Sequence, residues 1–519
     1  MGKIVIDPLN RVEGHLKIEA VVENGVVKEA RSSGTLWRGF ERILRFRNPL
    51  DAQRITQRMC GVCPIAHTYA STLNLDSAFG VADRIPENAR IIRNLILGAN
   101  YLQSHILHFY ALAALDFVDV TAAADYRGDD PGLKNVKAFI DRGALAPFFP
   151  RYEGDYRLTK EENLLAVKHY VQSLDMRRVS HELLAIWGGN MPQSVSIVPG
   201  GVTERPTVDK IADSRWRLER LRQFIKDVYI PDVLMVAKRY PDYFEIGRGV
   251  GRYLSYGCFD LDSNPDLTKR KRLFEGGRTS ITDLKLQSVD PTLITEDVRH
   301  SWYKSESHVH PSVEDTIPDA HKSGAYSWIK SPRYDGQVHE VGPLARQLMA
   351  YLHGFEPTVK AVNSTLKYFN APPSVLASTL GRHAARALET QIVADYMADW
   401  LLQLKPGEPV HTPFEIPAES TGMGLTEAPR GAVGHWITIK DHKIANYQAV
   451  VPTTWNGGPR DDKGQPGPFE QALEGTRVRD ENNPFELVRI VRSFDPCLAC
   501  AIHVVTPKGK TLAKFIIEG

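Results

Sequence analysis

The sequence predicts a mainly α, α+β fold: a central bundle of long helices with small peripheral β-sheets, folded as a single unit. Three observations predict it. Apolar residues recur at helical spacing through four long windows. Polar–apolar alternation of the strand type is clearest at the N-terminus. The cysteines fall into two C-x-x-C pairs at opposite ends of the 519-residue chain, so a site that uses both must join those ends. A chain this long would by default split into domains, since one core stops growing at about 250–300 residues. A shared site argues against that split.

Lys3–Ile6 is a short apolar run, and His15–Ala20 alternates polar and apolar. Asn24-Gly25 follows as a hairpin turn, and Val26–Ala30 returns. Pro86-Glu87 opens the first long helix, with Ile91, Ile92, Leu95, Ile96, Ala99, Leu102, Ile106 and Leu107 at helical spacing. It is apolar on most faces, which places it deep in a bundle. Glu161–Ile186 reads as a second helix, ended by Gly188-Gly189; Val208–Ala237 reads as a third. Ser378–Leu404 reads as a fourth, stopped by Pro406-Gly407. The stretch Gly247–Arg333 is polar and rich in Gly, Ser, Asp and Pro, and reads as irregular excursions with short strands.

Composition excludes several classes. Lys and Arg number 64 against 62 Asp and Glu, a net charge of +2 that leaves no electrostatic footprint for nucleic acid or an acidic membrane. The one basic run, Lys269-Arg270-Lys271-Arg272, reads as a solvated loop. The most apolar region, Ile91–Val120, is interrupted by Arg93, Asn94, Asn100, Gln103, His105, His108 and Asp116, so no direct membrane span is expected. The N-terminus lacks the apolar run of a secretory signal. Gly247-Arg248-Gly249-Val250-Gly251 has the wrong spacing for a nucleotide loop. His300, His308 and His310 cluster in a polar loop and could bind metal, although exposed histidines are ordinary in such loops; His105 and His108 read as hydrogen-bonded core residues.

The chemistry lies in four of the five cysteines. Cys60 and Cys63 sit in Gln57-Arg58-Met59-Cys60-Gly61-Val62-Cys63-Pro64-Ile65-Ala66-His67. Cys497 and Cys500 sit in Asp495-Pro496-Cys497-Leu498-Ala499-Cys500-Ala501-Ile502-His503. Two sulfurs of a C-x-x-C turn can converge on one ion, and thiolates suit soft or borderline metals. A structural zinc site is the usual meaning of two such pairs, but its pairs stand about 15–20 residues apart, whereas residues 64–496 separate these. A redox dithiol needs one pair near a βαβ pattern, which is absent here. A catalytic thiolate site holding a redox metal is the third reading, and spacing alone leaves it level with zinc.

Both segments resemble the signature motifs of nickel–iron hydrogenase large subunits, R-x-C-G-x-C-x-x-x-H and D-P-C-x-x-C-x-x-H. The resemblance extends along the chain. Asn10-Arg11-Val12-Glu13-Gly14-His15 and Trp37-Arg38-Gly39-Phe40-Glu41 match family segments. So do Tyr326–Lys330, Glu340–Arg346, Ser378–Arg382, Glu427-Ala428-Pro429-Arg430-Gly431 and Val451–Asn456, in the family's order.

The resemblance implies the nickel–iron large-subunit fold and a nickel–iron centre, with Cys60 and Cys497 as terminal nickel ligands. Cys63 and Cys500 then bridge to an iron that carries carbon monoxide and cyanide. It implies catalytic roles for Glu13, as the first proton relay, and for Arg430, packed over the iron. Around the centre it places His67, which donates to a bridging sulfur, and Thr453, which bonds a cyanide. Pro429 lies beside Arg430, and Asp495 pairs with it. It implies a magnesium (or iron) site made by Glu41, the Ala449 carbonyl and His503. Many members carry an acid before the helix histidine where this chain has Ser104-His105, which puts a role for that acid in doubt here.

The implied organisation is one catalytic domain over residues 1–503. An extension, 504–519, is removed between His503 and Val504 by a maturation endopeptidase after nickel-insertion factors have acted. Each iron–sulfur cluster takes about four cysteines, and only Cys258 remains. The electrons of H2 must therefore leave through an iron–sulfur small subunit. The implied activity is H2 ⇌ 2H⁺ + 2e⁻, run toward uptake, on the periplasmic side of the cytoplasmic membrane in a membrane-associated heterodimer exported with that partner. An H2-sensing regulatory homologue and a four-cysteine zinc protein are the alternatives. Metal-free relatives in respiratory complexes lose the cysteines that this chain keeps.

Overall fold

The computed structural model describes residues 2–143 and 154–501. The N-terminal sheet is an antiparallel meander of β1 (Gly2–Leu9), β2 (Leu16–Glu23) and β3 (Val26–Gly34). Along β2 every second residue (Leu16, Ile18, Ala20, Val22) is buried. Asn24 and Gly25 both have positive φ, 53° and 73°, as a tight two-residue hairpin turn requires.

Helix α1 (Pro64–Ala78) follows the first cysteine pair, and α2 (Glu87–Leu107) is the first predicted long helix. Then come α3 (Lys160–Gly188) and α4 (Val208–Phe224). Thr159 and Glu162 cap the start of α3 reciprocally, and Gly189 ends it at φ 72°. The window expected to be one helix to Ala237 is interrupted. After α4 the chain opens into a wider turn over Ile225–Tyr229 and resumes as Ile230–Arg239. Pro231 lies at that junction and lacks the N–H that a regular helix needs there.

The irregular region carries short strand pairs, among them β4 (Ile294–Asp297) antiparallel to β5 (Ser331–Tyr334). Helix α5 (Thr379–Gln403) begins at Ser378, whose side chain accepts from the Gly381 amide. Helices α2 and α4 each pack on both α3 and α5, which makes the central bundle. Its core holds Ile92, Ile96, Leu102, Leu183, Trp187, Leu221, Val393 and Met397.

A second antiparallel meander, β6 (Ser420–Ala428), β7 (Gly431–Lys440) and β8 (Lys443–Val450), packs across α1. Glycines permit that close approach: a Cβ at Gly424 would lie 2.0 Å from the Ala70 carbonyl oxygen. After the meander come α6 (Pro452–Gly457), a short helix over Pro468–Leu473, α7 (Phe485–Ser493) and α8 (Leu498–Ala501). Among the described residues no helix is long and apolar enough to cross a membrane.

The basic run is not a solvated loop throughout. Lys269 and Lys271 are exposed, but Arg270 and Arg272 are buried and grip the two oxygens of Asp260 at 2.8 and 3.0 Å. The run leads into a short strand that is buried throughout, Arg272–Phe274, and Asp260 compensates the two buried charges.

Candidate metal centre

Each cysteine pair is set by its local backbone. Cys60 is extended after a tight turn, and Cys63 is the cap of α1, with Pro64 pre-shaped for the first helical position. The amides of Val62 and Cys63 both donate to Cys60 Sγ, at 3.2 and 3.0 Å. Cys497 precedes α8 and Cys500 lies within it; the Cys497 amide donates to Thr453 Oγ1 at 2.9 Å.

The four sulfurs converge within 4.8 Å of one another. Cys60 Sγ and Cys497 Sγ are 3.3 Å apart, Cys63 and Cys500 3.6 Å, Cys497 and Cys500 2.8 Å. All four are buried. Burial pushes the thiols of Cys60, Cys497 and Cys500 up, whereas Cys63, hydrogen-bonded by Cys497, Cys500 and Cys60, is held well below the ordinary thiol value. Four thiols this close cannot all ionise unless a cation balances them. The donor set therefore fits a soft or borderline metal.

The surrounding residues are held as tightly. Glu13 lies in a loop whose ends are clamped. Arg11 pairs with Asp116 at 2.5 Å, and Arg492 of α7 pairs with the same Asp116 and donates to the Asn10 carbonyl at 2.8 Å. Glu13 pairs backbone to backbone beside Cys497. Its Oε2 accepts from Cys497 Sγ at 3.2 Å and from the Ala499 amide at 3.0 Å. Burial raises the Glu13 carboxyl, and the hydrogen bond from Cys497 offsets this in part. His67, one turn into α1, places Nε2 3.2 Å from Cys500 Sγ. Arg430 stands in the β6–β7 turn, where it donates from Nε to the Asp495 carbonyl and from Nη2 to Asp495 Oδ1, both at 2.9 Å. Burial opposes its charge, but Asp495 and the cysteine sulfurs outweigh burial and keep the guanidinium protonated. The turn is itself fixed by Arg346, which donates to the carbonyls of Ala428 and Pro429 at 2.9 and 2.8 Å. At the position where many family members carry an acid, Ser104 Oγ lies 3.5 Å from Arg430 Nη1.

Glu41 belongs to a separate cluster. Its Oε2 accepts from Thr316 Oγ1 at 2.6 Å, and Lys330 Nζ is 4.0 Å away. Lys330 also pairs with Glu314 and Glu296 at 2.8 and 3.2 Å. Three buried carboxyl groups thus crowd one ammonium, and burial pushes Glu41 and Glu296 up, Glu296 also through the neighbouring Glu314. Such a crowd of carboxyl oxygens suits a divalent cation with oxygen ligands, which would favour their ionised forms. Ala449 meets Glu41 through its amide, at 3.4 Å. His503 and Val504 lie outside the described residues.

Sequence reasoning assigned no role to several residues that build these sites. Arg38 donates to the Met59 carbonyl at 2.8 Å and to the Ala499 carbonyl at 3.2 Å, and so ties the two cysteine segments together. His435 Nε2 stands 3.5 Å from His67 Nδ1, and His435 Nδ1 stands 2.7 Å from the Tyr447 hydroxyl. Arg38 and Lys330 lie inside segments that match the family, which was the available signal; His435 and Tyr447 carry none.

Residues 38–503 match the family described as nickel-dependent hydrogenase, and residues 3–33 match a HoxL-like family. The chain is 42% identical to the periplasmic NiFeSe hydrogenase large subunit of Desulfomicrobium baculatum, over 97% of this chain and 95% of that one. It is 39% identical to an uptake hydrogenase large subunit of Bradyrhizobium diazoefficiens, over 99% and 97%. Its fold is similar to the Ni-Fe-Se hydrogenase of D. vulgaris Hildenborough in the reduced state, with a TM-score of 0.84, 43% identity, and 97% and 100% of the two chains covered. The chain belongs to the nickel-dependent hydrogenase family. Within that family it is a large subunit, an oxidoreductase that acts on H2. The four converging positions in this chain are all cysteine.

Proposed function

We propose that this chain oxidises H2 to protons and electrons, in the uptake direction, at a nickel–iron centre held by Cys60, Cys63, Cys497 and Cys500. The observation that carries this reading is the meeting of two distant C-x-x-C pairs in one buried four-sulfur cluster, with a carboxylate against one sulfur. In this reading Cys60 and Cys497 would hold nickel, and Cys63 and Cys500 would hold nickel together with an iron that carries carbon monoxide and cyanide. When bound, the metals polarise H–H and take up its electrons. The thiolates donate strongly and so support changes of metal oxidation state.

Glu13 Oε2 stands where a proton leaving Cys497 Sγ is received, at 3.2 Å. His67 donates from Nε2 toward Cys500 Sγ, which orients and tunes that sulfur. Arg430 presents fixed positive charge over the site, held by Asp495 and by the turn that includes Pro429. Thr453 accepts from the Cys497 amide through Oγ1, and its hydroxyl would be the donor to a cyanide on the iron. Glu41, the Ala449 carbonyl and His503 hold Mg2+ (or Fe2+), which the crowded carboxyl groups favour.

Electrons pass to an iron–sulfur small subunit, because the remaining cysteine, Cys258, is buried against Tyr101 and stands alone. Phe46 and Val313 are 77% and 73% exposed, and the ion pair Arg45–Asp315 links their segments. We assign these two exposed apolar side chains to contact with the partner. Residues 1–503 work as one unit after a maturation endopeptidase removes 504–519, on the periplasmic side of the membrane.

The test is H2-dependent reduction of a viologen dye by the chain purified with its partner. Glu13→Gln is expected to lower turnover by about 10²–10⁴-fold with nickel retained. Full turnover in that variant would remove Glu13 from the reaction, and a nickel-replete complex without H2-dependent reduction would remove the function.

A further inference from the structure

We propose that Asp297, His308 and Asp462 form a second metal site, at the surface, that takes a first-row divalent cation of the zinc type and pins the irregular region to the loop after α6. His308 Nε2 lies 2.9 Å from Asp462 Oδ2 and 3.7 Å from Asp297 Oδ2. All three ligand atoms fall within 4.8 Å of one another. Zinc binds nitrogen and carboxylate oxygen at about 2.0–2.2 Å, so tetrahedral ligands stand about 3.3–3.6 Å apart. The two observed separations straddle that range, and small side-chain rotations equalise them.

The inner ligand carries the inference. The Asp297 side chain is fully buried at the end of β4. Its Oδ1 accepts the Arg299 amide at 2.9 Å, but its Oδ2, which faces the imidazole, has no hydrogen-bond partner among the described residues. An ionised carboxylate oxygen buried without a donor costs free energy, and a cation at this point removes that cost. The imidazole and the Asp462 carboxylate are 42% and 39% exposed, so an ion has a path from solvent and room for water as a further ligand.

The three ligands come from segments fixed independently of any ion. Asp297 is opposite Ser331 in the β4–β5 ladder. The His308 amide donates to the Glu296 carbonyl at 2.8 Å. Asp462 follows Asp461, which Arg333 of β5 grips at 2.8 Å. The other two histidines of the loop are committed elsewhere. His300 Nδ1 stands 2.9 Å from the Gly324 carbonyl oxygen, and His310 has Ser312 Oγ at 2.7 Å and the Pro291 carbonyl oxygen at 3.1 Å. One imidazole with two carboxylates selects zinc and its neighbours over magnesium.

The experiment is equilibrium dialysis of the full chain, with its cysteine site loaded, against zinc chloride, followed by metal analysis. His308→Ala and Asp462→Asn alter exposed side chains outside the cysteine site. Each is expected to bind one zinc per chain fewer than the wild type, with nickel unchanged. Equal zinc in the wild type and both variants would overturn the site and leave a plain His308–Asp462 ion pair. Because nickel is counted in the same samples, failure here is separate from failure of the hydrogenase reading.

Discussion

Arg430 donates through two different nitrogens to one residue, once to the Asp495 carbonyl and once to its carboxylate. A lysine would keep the charge but not the planar fork. Arg430→Lys is therefore expected to lower H2-dependent turnover by at least about tenfold with nickel content unchanged, and full turnover would deny the guanidinium a part in the reaction. Glu470 sets a pH dependence. Its Oε1 accepts from the Ser32 amide and the Tyr326 hydroxyl, and burial pushes its carboxyl up to about 7. The folded protein then holds this proton more tightly than the unfolded chain, whose glutamates titrate near about 4.3. The stabilising contribution is complete below that unfolded value and is lost as pH rises through about 7; it amounts to at most about 4 kcal/mol. Glu470→Gln keeps both acceptor contacts. It is expected to flatten part of the fall in Tm across this window, with Glu427, also pushed to about 7, and the other buried carboxyls that burial raises supplying the rest; an unchanged slope would contradict the assignment. Legibility at this scale followed the chemistry carried by spacing. The cysteine pairs announce themselves, whereas Glu13 reads alone as a loop carboxylate. His435 and Tyr447 become visible only once packing brings β7 against α1 and the Tyr447 hydroxyl of β8 reaches Ser71.

Loop Asn10–Gly14 and helix α8 meet so closely that the element between β1 and β2 is part of the metal centre. Gly14 has φ 88°, and a Cβ there would lie 2.7 Å from the Ala499 amide nitrogen and from Leu498 Cβ. Gly14→Ala meets both a strained backbone, about 1–2 kcal/mol, and a clash with main chain that cannot rotate away. The variant is expected to lose nickel and turnover while far-UV circular dichroism shows the helical bundle intact; wild-type nickel content would show that the contact is not needed. The helices of the bundle were legible because each has an apolar pattern with a cap or stop, as at Thr159, Gly189 and Ser378. Helix α1 was not, since nearly all of its residues are buried, including Thr68, Ser71, Asn74 and Asp76, so it has no apolar stripe to read. The β6–β8 meander was missed for a related reason: β7 is buried on both faces along most of its length, so strand alternation disappears.

The whole molecule is closed by contacts between its two ends. Asp116, between them in sequence, is gripped by Arg11 from one end and Arg492 from the other, and Arg38 joins both cysteine segments. That closure was legible from the separation of the C-x-x-C pairs, once a single site was assumed. The identity of the metal was not, because spacing alone suits zinc as well as a redox metal. The crowd of carboxyl groups around Lys330 was hidden because Glu41, Glu296 and Glu314 are remote in sequence and each is ordinary by itself. The most direct measurement is therefore the nickel, iron and zinc content per chain of the complex purified with its partner, after the partner's iron is subtracted. Nickel equal in amount to this chain, and lost in Cys60→Ser and in Cys497→Ser, is the expected result. Stoichiometric zinc without nickel, unaffected in H2-exposed preparations, would contradict it and make the four cysteines a structural site.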